Sequence, residues 1–80
     1  MSNENIENTI KLIISNILNV DINELSKDSG PRSTPGWKGR AHRKIIEKIE
    51  KEFKIKFEYD ELDTLTNLAI ITYTVEAHIE

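Results

Sequence analysis

Lys38, Arg40, Arg43 and Lys44 put four cations within seven residues of this 80-residue chain. At spacings of two, three and one they cover a broad face at the start of any helix that begins here. The chemistry such a face offers is anion recognition, of a carboxylate surface or of phosphate. Cations in the first turn of a helix oppose its macrodipole by about 0.3–1 kcal/mol each, so the cluster carries a small cost to the fold. It reads either as a binding face for an acidic partner or as a solvated charged face with no dedicated ligand. Other chemistry is poorly served. His42 and His78 lie far apart, and no cysteine accompanies them. The His-x-x-x-His spacing of a metal site is absent, so no metal is expected. Without cysteine there is neither a disulfide framework nor thiolate chemistry. No nucleophile and base stand in a recognisable motif, and no enzyme is expected. Ser29, Ser33 and Thr34 read as ordinary loop hydroxyls, which suit turns.

The charge around the cluster is segregated. Residues 1–29 carry a net −3, residues 30–54 a net +5 and residues 55–80 a net −5, summing to the chain's −3. The run Arg40-Ala41-His42-Arg43-Lys44 beside Trp37 has the composition of a nucleic-acid patch. The isoelectric point near 5.4 argues against that partner, since such binders are strongly basic as a whole. Trp37 itself reads first as a loop anchor packed at the end of a bundle. Apolar residues are 38% of the chain and charged residues 31%, a globular balance. No apolar run reaches the roughly 18 residues a membrane span needs. The acidic N-terminus does not read as a signal peptide, and the cytoplasm is the expected compartment.

The elements that must position these residues follow from periodicity. Isoleucines at 6, 10, 13, 14 and 17, with Leu18, form a one-sided helical stripe, predicting a helix over Glu4–Leu18 capped by Ser2 or Asn3. Val20, Ile22 and Leu25 pin the polar stretch that follows. Residues 28–37 hold both prolines and two of the three glycines and form a loop. Ala41, Ile45, Ile46, Ile49 and Phe53 predict a second helix over Lys38–Phe53, its exposed face reading Arg43, Lys44, Glu47, Lys48, Glu50 and Lys51. Glu47 and Lys51 have the favourable i, i+4 spacing. Gly39 costs that helix about 1 kcal/mol relative to alanine if its first turn is fully helical. The alternating stretch 54–58 has no second strand to pair with, so it is read as an extended connection inserting Ile55 and Phe57 into the core. Tyr59–Leu62 suits one short helical turn. A last helix follows Thr66 or Asn67 as cap, burying Leu68, Ile71, Val75 and Ile79. One domain spanning residues 1–80 is expected, all-α.

This order of features resembles the acyl and peptidyl carrier protein family over about residues 6–79. Three stretches carry the resemblance: Ile13 through Ser29 (IISNILNVDINELSKDS), Ile45 through Phe57 (IIEKIEKEFKIKF) and Asp60 through Ile79 (DELDTLTNLAIITYTVEAHI). It implies a four-helix bundle of the acyl-carrier type, with a long loop between its first two helices. The family's signature is Asp-Ser-Leu at the start of the second helix, often after Trp. Here Pro35-Gly36-Trp37 and Ala41-His42 fit that context, but Lys38-Gly39-Arg40 stands where Asp-Ser-Leu would. Gly39 lies fourteen residues before Phe53, in the register of the family's serine. That serine carries phosphopantetheine through a phosphodiester, and glycine has no oxygen to form one, so no cofactor is expected on this chain. Arg43 stands where the family has an apolar residue. The resemblance implies carrier-dependent enzymes as partners. Their contact surface would include Trp37, Lys38, Arg40, Arg43, Lys44 and Glu47, with the usual acidic character replaced by a basic one that would repel ordinary partners.

Overall fold

A computed structural model describes residues 3–79. Its described residues form four α-helices and no strand: α1, Asn3–Leu18; α2, Gly39–Phe53; α3, Tyr59–Leu62; and α4, Leu68–Ile79, with a 3-10 turn at Ile22–Glu24. Helix α1 packs against both α2 and α4, and its stripe explains why. Ile6, Ile10, Ile13 and Ile14 are buried, while Ile17 and Leu18 pack at the edge of the same core. From α2 come Ile45, Ile46 and Ile49, and from α4 Leu68, Ile71 and Val75. Leu25, Trp37, Phe57 and Leu65 complete the core from the connections. Ile55 is partly buried beside them, and residues 54–58 form the expected non-strand connection.

Three details differ from the sequence reading. Helix α1 already includes Asn3, so Asn3 is not its cap, and Ser2 lies outside the described residues. Helix α2 begins one residue later than expected, with Lys38 as its cap position. In α4, Ile79 is 42% exposed while Thr72 and Thr74 are buried. The threonines are admitted because each hydroxyl donates to a carbonyl four residues back, Leu68 O at 2.9 Å and Ile70 O at 2.8 Å, which removes the penalty of burying a bare hydroxyl.

The helix ends are closed by specific bonds. Asn67 caps α4 through its Oδ1, which accepts from the Ile70 N–H at 2.9 Å. The amides of Leu68 and Ala69 donate across the fold to Ser29 O and Lys27 O, at 2.8 and 3.1 Å. The first loop is therefore a cap for the last helix. This close approach is why residue 30 is glycine: a Cβ there would collide with the Thr66 carbonyl oxygen and press on Asn67 Cα at 3.2 Å. Helices α1 and α2 both end on a left-handed residue, Asn19 and Lys54, each with φ +56°. In both cases the amide of the next residue bonds five back, Val20 to Ser15 O and Ile55 to Glu50 O, the Schellman closure.

These ends give opposite expectations for two substitutions, both read by thermal unfolding. Gly30→Ala should destabilise by about 1–3 kcal/mol, because backbone on both sides leaves little room to yield. Lys54→Gly should stabilise by about 1 kcal/mol by relieving a left-handed backbone. A neutral Gly30→Ala would contradict the close approach of the loop to α4.

Candidate functional site

The start of α2 is built around an unusual backbone. Lys38 is extended (φ −140°, ψ 155°) at the cap position and makes no side-chain cap bond. Its carbonyl accepts from the amides of Ala41 at 2.8 Å and His42 at 3.4 Å. Gly39 has φ +37°, and a Cβ built on it would meet nothing within 4 Å. The expected cost of glycine in a helical turn therefore does not apply. The conformation is left-handed, where an L-residue is strained by about 1–2 kcal/mol. Open space lies over the Cβ direction of Gly39.

Gly39 stands at one end of a groove of about 540 Å³ that runs along α2 to the connection 54–58 and α3. Positions 39, 43, 46, 47 and 50 fall on one helical face. They contribute Gly39, Arg43, Ile46, Glu47 and Glu50 to its lining. Phe57, Leu62 and Tyr59 face them with apolar surface, and Lys56 adds a cation. The volume is within the range of pockets that hold small ligands.

Two carboxylates hold the far wall in place. Glu50 Oε2 accepts from the Phe57 N–H at 2.8 Å, fixing the connection against α2; Glu50 is half-buried rather than on the open face expected for it. Glu61 Oε1 accepts from the Glu58 N–H and from His78 Nε2, each at 2.7 Å. The first bond starts α3 and the second ties α3 to the end of α4. The His78 ring also meets Phe57 edge-on, with centroids 5.7 Å apart. The Glu58 N–H, and then the bond from His78, hold the Glu61 carboxyl below its ordinary value of 4.5. Its folded-state value being depressed, Glu61 contributes stability above about pH 4.5, and that contribution is lost as pH falls through the lowered value.

At the other end, Trp37 is completely buried, and its indole Nε1–H donates to His42 Nδ1 at 2.8 Å. The bond requires an acceptor at Nδ1, so the neutral ring carries its proton on Nε2. Burial lowers the His42 pKa from 6.5, since desolvation disfavours the imidazolium.

The structure separates the sequence-derived site residues into three groups. Gly39, Arg43 and Glu47 line the groove. Lys38, Arg40 and Lys44 are exposed around the start of α2. Trp37 lies beneath this surface as an anchor and presents no contact area. Among the described residues the ion pairs are Glu7–Lys11 and, when the imidazole is protonated, Glu61–His78, so the four cations of the cluster are unpaired and Glu47–Lys51 is not closed. Glu50, Glu61 and the groove wall at Lys56, Tyr59 and Leu62 were not anticipated; the alternation through 54–58 was their one sequence signal. Among the described residues no acidic, histidine or cysteine group could hold a metal, and no helix is long and apolar enough to cross a membrane. No protein-family model matches the chain, and no curated protein matches it.

The uncapped start of α2 gives a direct expectation. Lys38→Asp supplies a carboxylate acceptor at an already extended cap position and removes a cation from the positive end of the helix. It should stabilise by about 0.5–2 kcal/mol, raising the melting temperature by about 4–8 °C per kcal/mol. An unchanged melting temperature would contradict the capping role of residue 38.

Proposed function

We propose that this chain is an acyl-carrier-like domain, a four-helix bundle with a long first loop, altered so that it cannot carry phosphopantetheine. The observation that carries the reading is the coincidence at Gly39. In the register of the resemblance, this is the attachment position. It lies at the first residue of α2, its Cβ direction is open, and an apolar groove begins beside it. An arm attached there would have room to leave the helix, and an apolar chain on that arm would have a surface to lie against. Glycine offers no oxygen for the phosphodiester, and the chain has no cysteine to carry an acyl group as a thioester itself. The domain would then act through non-covalent contacts on the carrier surface, made by Lys38, Arg40, Arg43, Lys44 and Glu47.

A second reading is favoured by one observation, the four unpaired and exposed cations. In that reading the start of α2 is a binding face for an acidic protein surface or a nucleic acid. Binding to nucleic acid would weaken steeply with salt.

Intact mass after incubation with coenzyme A and a broad-specificity phosphopantetheinyl transferase distinguishes them. The chain should gain no mass. The triple variant Lys38→Asp, Gly39→Ser, Arg40→Leu should gain one phosphopantetheine, because the aspartate cap draws residue 39 towards the helical backbone a serine prefers. A triple variant that folds and stays unmodified would overturn the carrier reading and favour the basic binding face.

A further inference from the structure

We propose that His42 and Trp37 form a proton-operated latch on the first loop, closed when the imidazole is neutral and released when it is protonated. The proposal stands on the geometry of the pair and does not depend on the carrier reading.

Trp37 is the last residue of the loop before the α2 cap, and it is fully buried. Its one polar group donates to His42 Nδ1 at 2.8 Å, and the two rings are tilted by 31° with centroids 6.1 Å apart. An indole N–H can only donate. Imidazolium has two N–H groups and no acceptor, so protonation turns the bond into two donors facing each other. The buried indole then has no partner, and the state that restores one exposes it to water.

The surroundings of His42 do not offset this. From its own helix, the charged groups sharing the groove with it are Arg43, Glu47 and Glu50; from the connection and α3 they are Lys56 and the titratable Tyr59. Glu50 is engaged by the Phe57 N–H, and among the described residues no carboxylate forms an ion pair with the His42 ring. The groove's charges are mixed, Arg43 and Lys56 with Glu47, and burial is what lowers the pKa of the ring.

The loop is suited to move when the indole leaves. Between Gly30 and Lys38 its backbone bonds are local: Ser33 and Thr34 to Gly30 O, Trp37 to Thr34 O and Lys38 to Gly36 O. Its tether to α4 lies upstream, at Lys27 and Ser29. Release of Trp37 would therefore free residues 31–38, which end at Gly39 and the groove, without undoing the cap of α4. The sign is fixed by the lowered pKa. The latch is fully closed above about pH 6.5, the unperturbed value, and opens as pH falls below it towards the depressed value of the folded ring.

The chain has one tryptophan, so its fluorescence reports the latch directly. Acidification from about pH 8 to about pH 5 should red-shift the emission and increase quenching by acrylamide, while far-ultraviolet circular dichroism stays helical. The indole N–H resonance should lose its protection from exchange over the same range. His42→Gln keeps an acceptor that does not titrate and should hold emission constant. His78→Gln removes the other histidine and should leave the transition in place. The latch is overturned if emission in the folded wild type is independent of pH, if His42→Gln retains the transition, or if His78→Gln abolishes it. Should His42→Gln fail to fold, the wild-type indole exchange rate decides alone: protection that is unchanged across the range contradicts the proposal.

Discussion

The burial of one indole governs the region where α2 begins. Trp37 belongs to a loop held by short-range turns, yet its side chain is fully enclosed by the core. Removing a buried aromatic of this size typically costs about 3–5 kcal/mol, a large part of the roughly 5–15 kcal/mol that holds a domain folded. Such an anchor leaves the chain little choice about where it enters α2. The residues immediately after it are set by that entry: Lys38 extended, Gly39 left-handed and the first helical turn carrying His42 back to the indole. A buried donor also demands an acceptor, and the neutral imidazole supplies it.

The remainder of the fold connects distant segments through a few polar contacts. Lys27 and Ser29 receive the first amides of α4, so the loop after α1 and the last helix define each other's position. Gly30 allows the two backbones to come that close. On the opposite side Glu50 holds the connection at Phe57, and Glu61 binds both the start of α3 and His78. These two glutamates fix the wall that faces α2. The groove is therefore a consequence of how α3 is tied down, with apolar side chains lining what the tethers leave open.

The apolar skeleton was legible because isoleucines recur at helical spacing in α1 and α2, and burial of one face leaves few alternatives. Helix α4 was less so: Thr72 and Thr74 look polar in a pattern, and their acceptability depends on hydroxyls returned to the helix backbone. Gly39 shows a similar limit. Its type suggested a weak first turn, whereas its positive φ makes glycine the residue that suits the position. Glu50 and Glu61 were hidden for another reason. Glu50 among lysines has the spacing of a solvated pair and Glu61 stands in an acidic run. Nothing local reveals that an amide seven residues from the first, or a histidine seventeen from the second, will take the carboxylate. The basic cluster was visible in sequence, but its division between groove and open surface required the helix's rotation.

Together these features describe a bundle in which an open position, an apolar groove and an uncompensated basic surface meet at one helix end. On the proposed reading, a chain leaving residue 39 would lie in that groove. The absence of cysteine makes a direct test possible. Gly39→Cys provides one thiol, which can be alkylated with either a methyl group or a long alkyl chain, and the melting temperatures of the two adducts compared. Because both adducts share the same backbone strain at residue 39, their difference isolates the chain. The long-chain adduct should melt at the higher temperature, through burial of apolar area worth about 0.8 kcal/mol per fully buried methylene. Equal melting temperatures, or a lower one for the long chain, would contradict it.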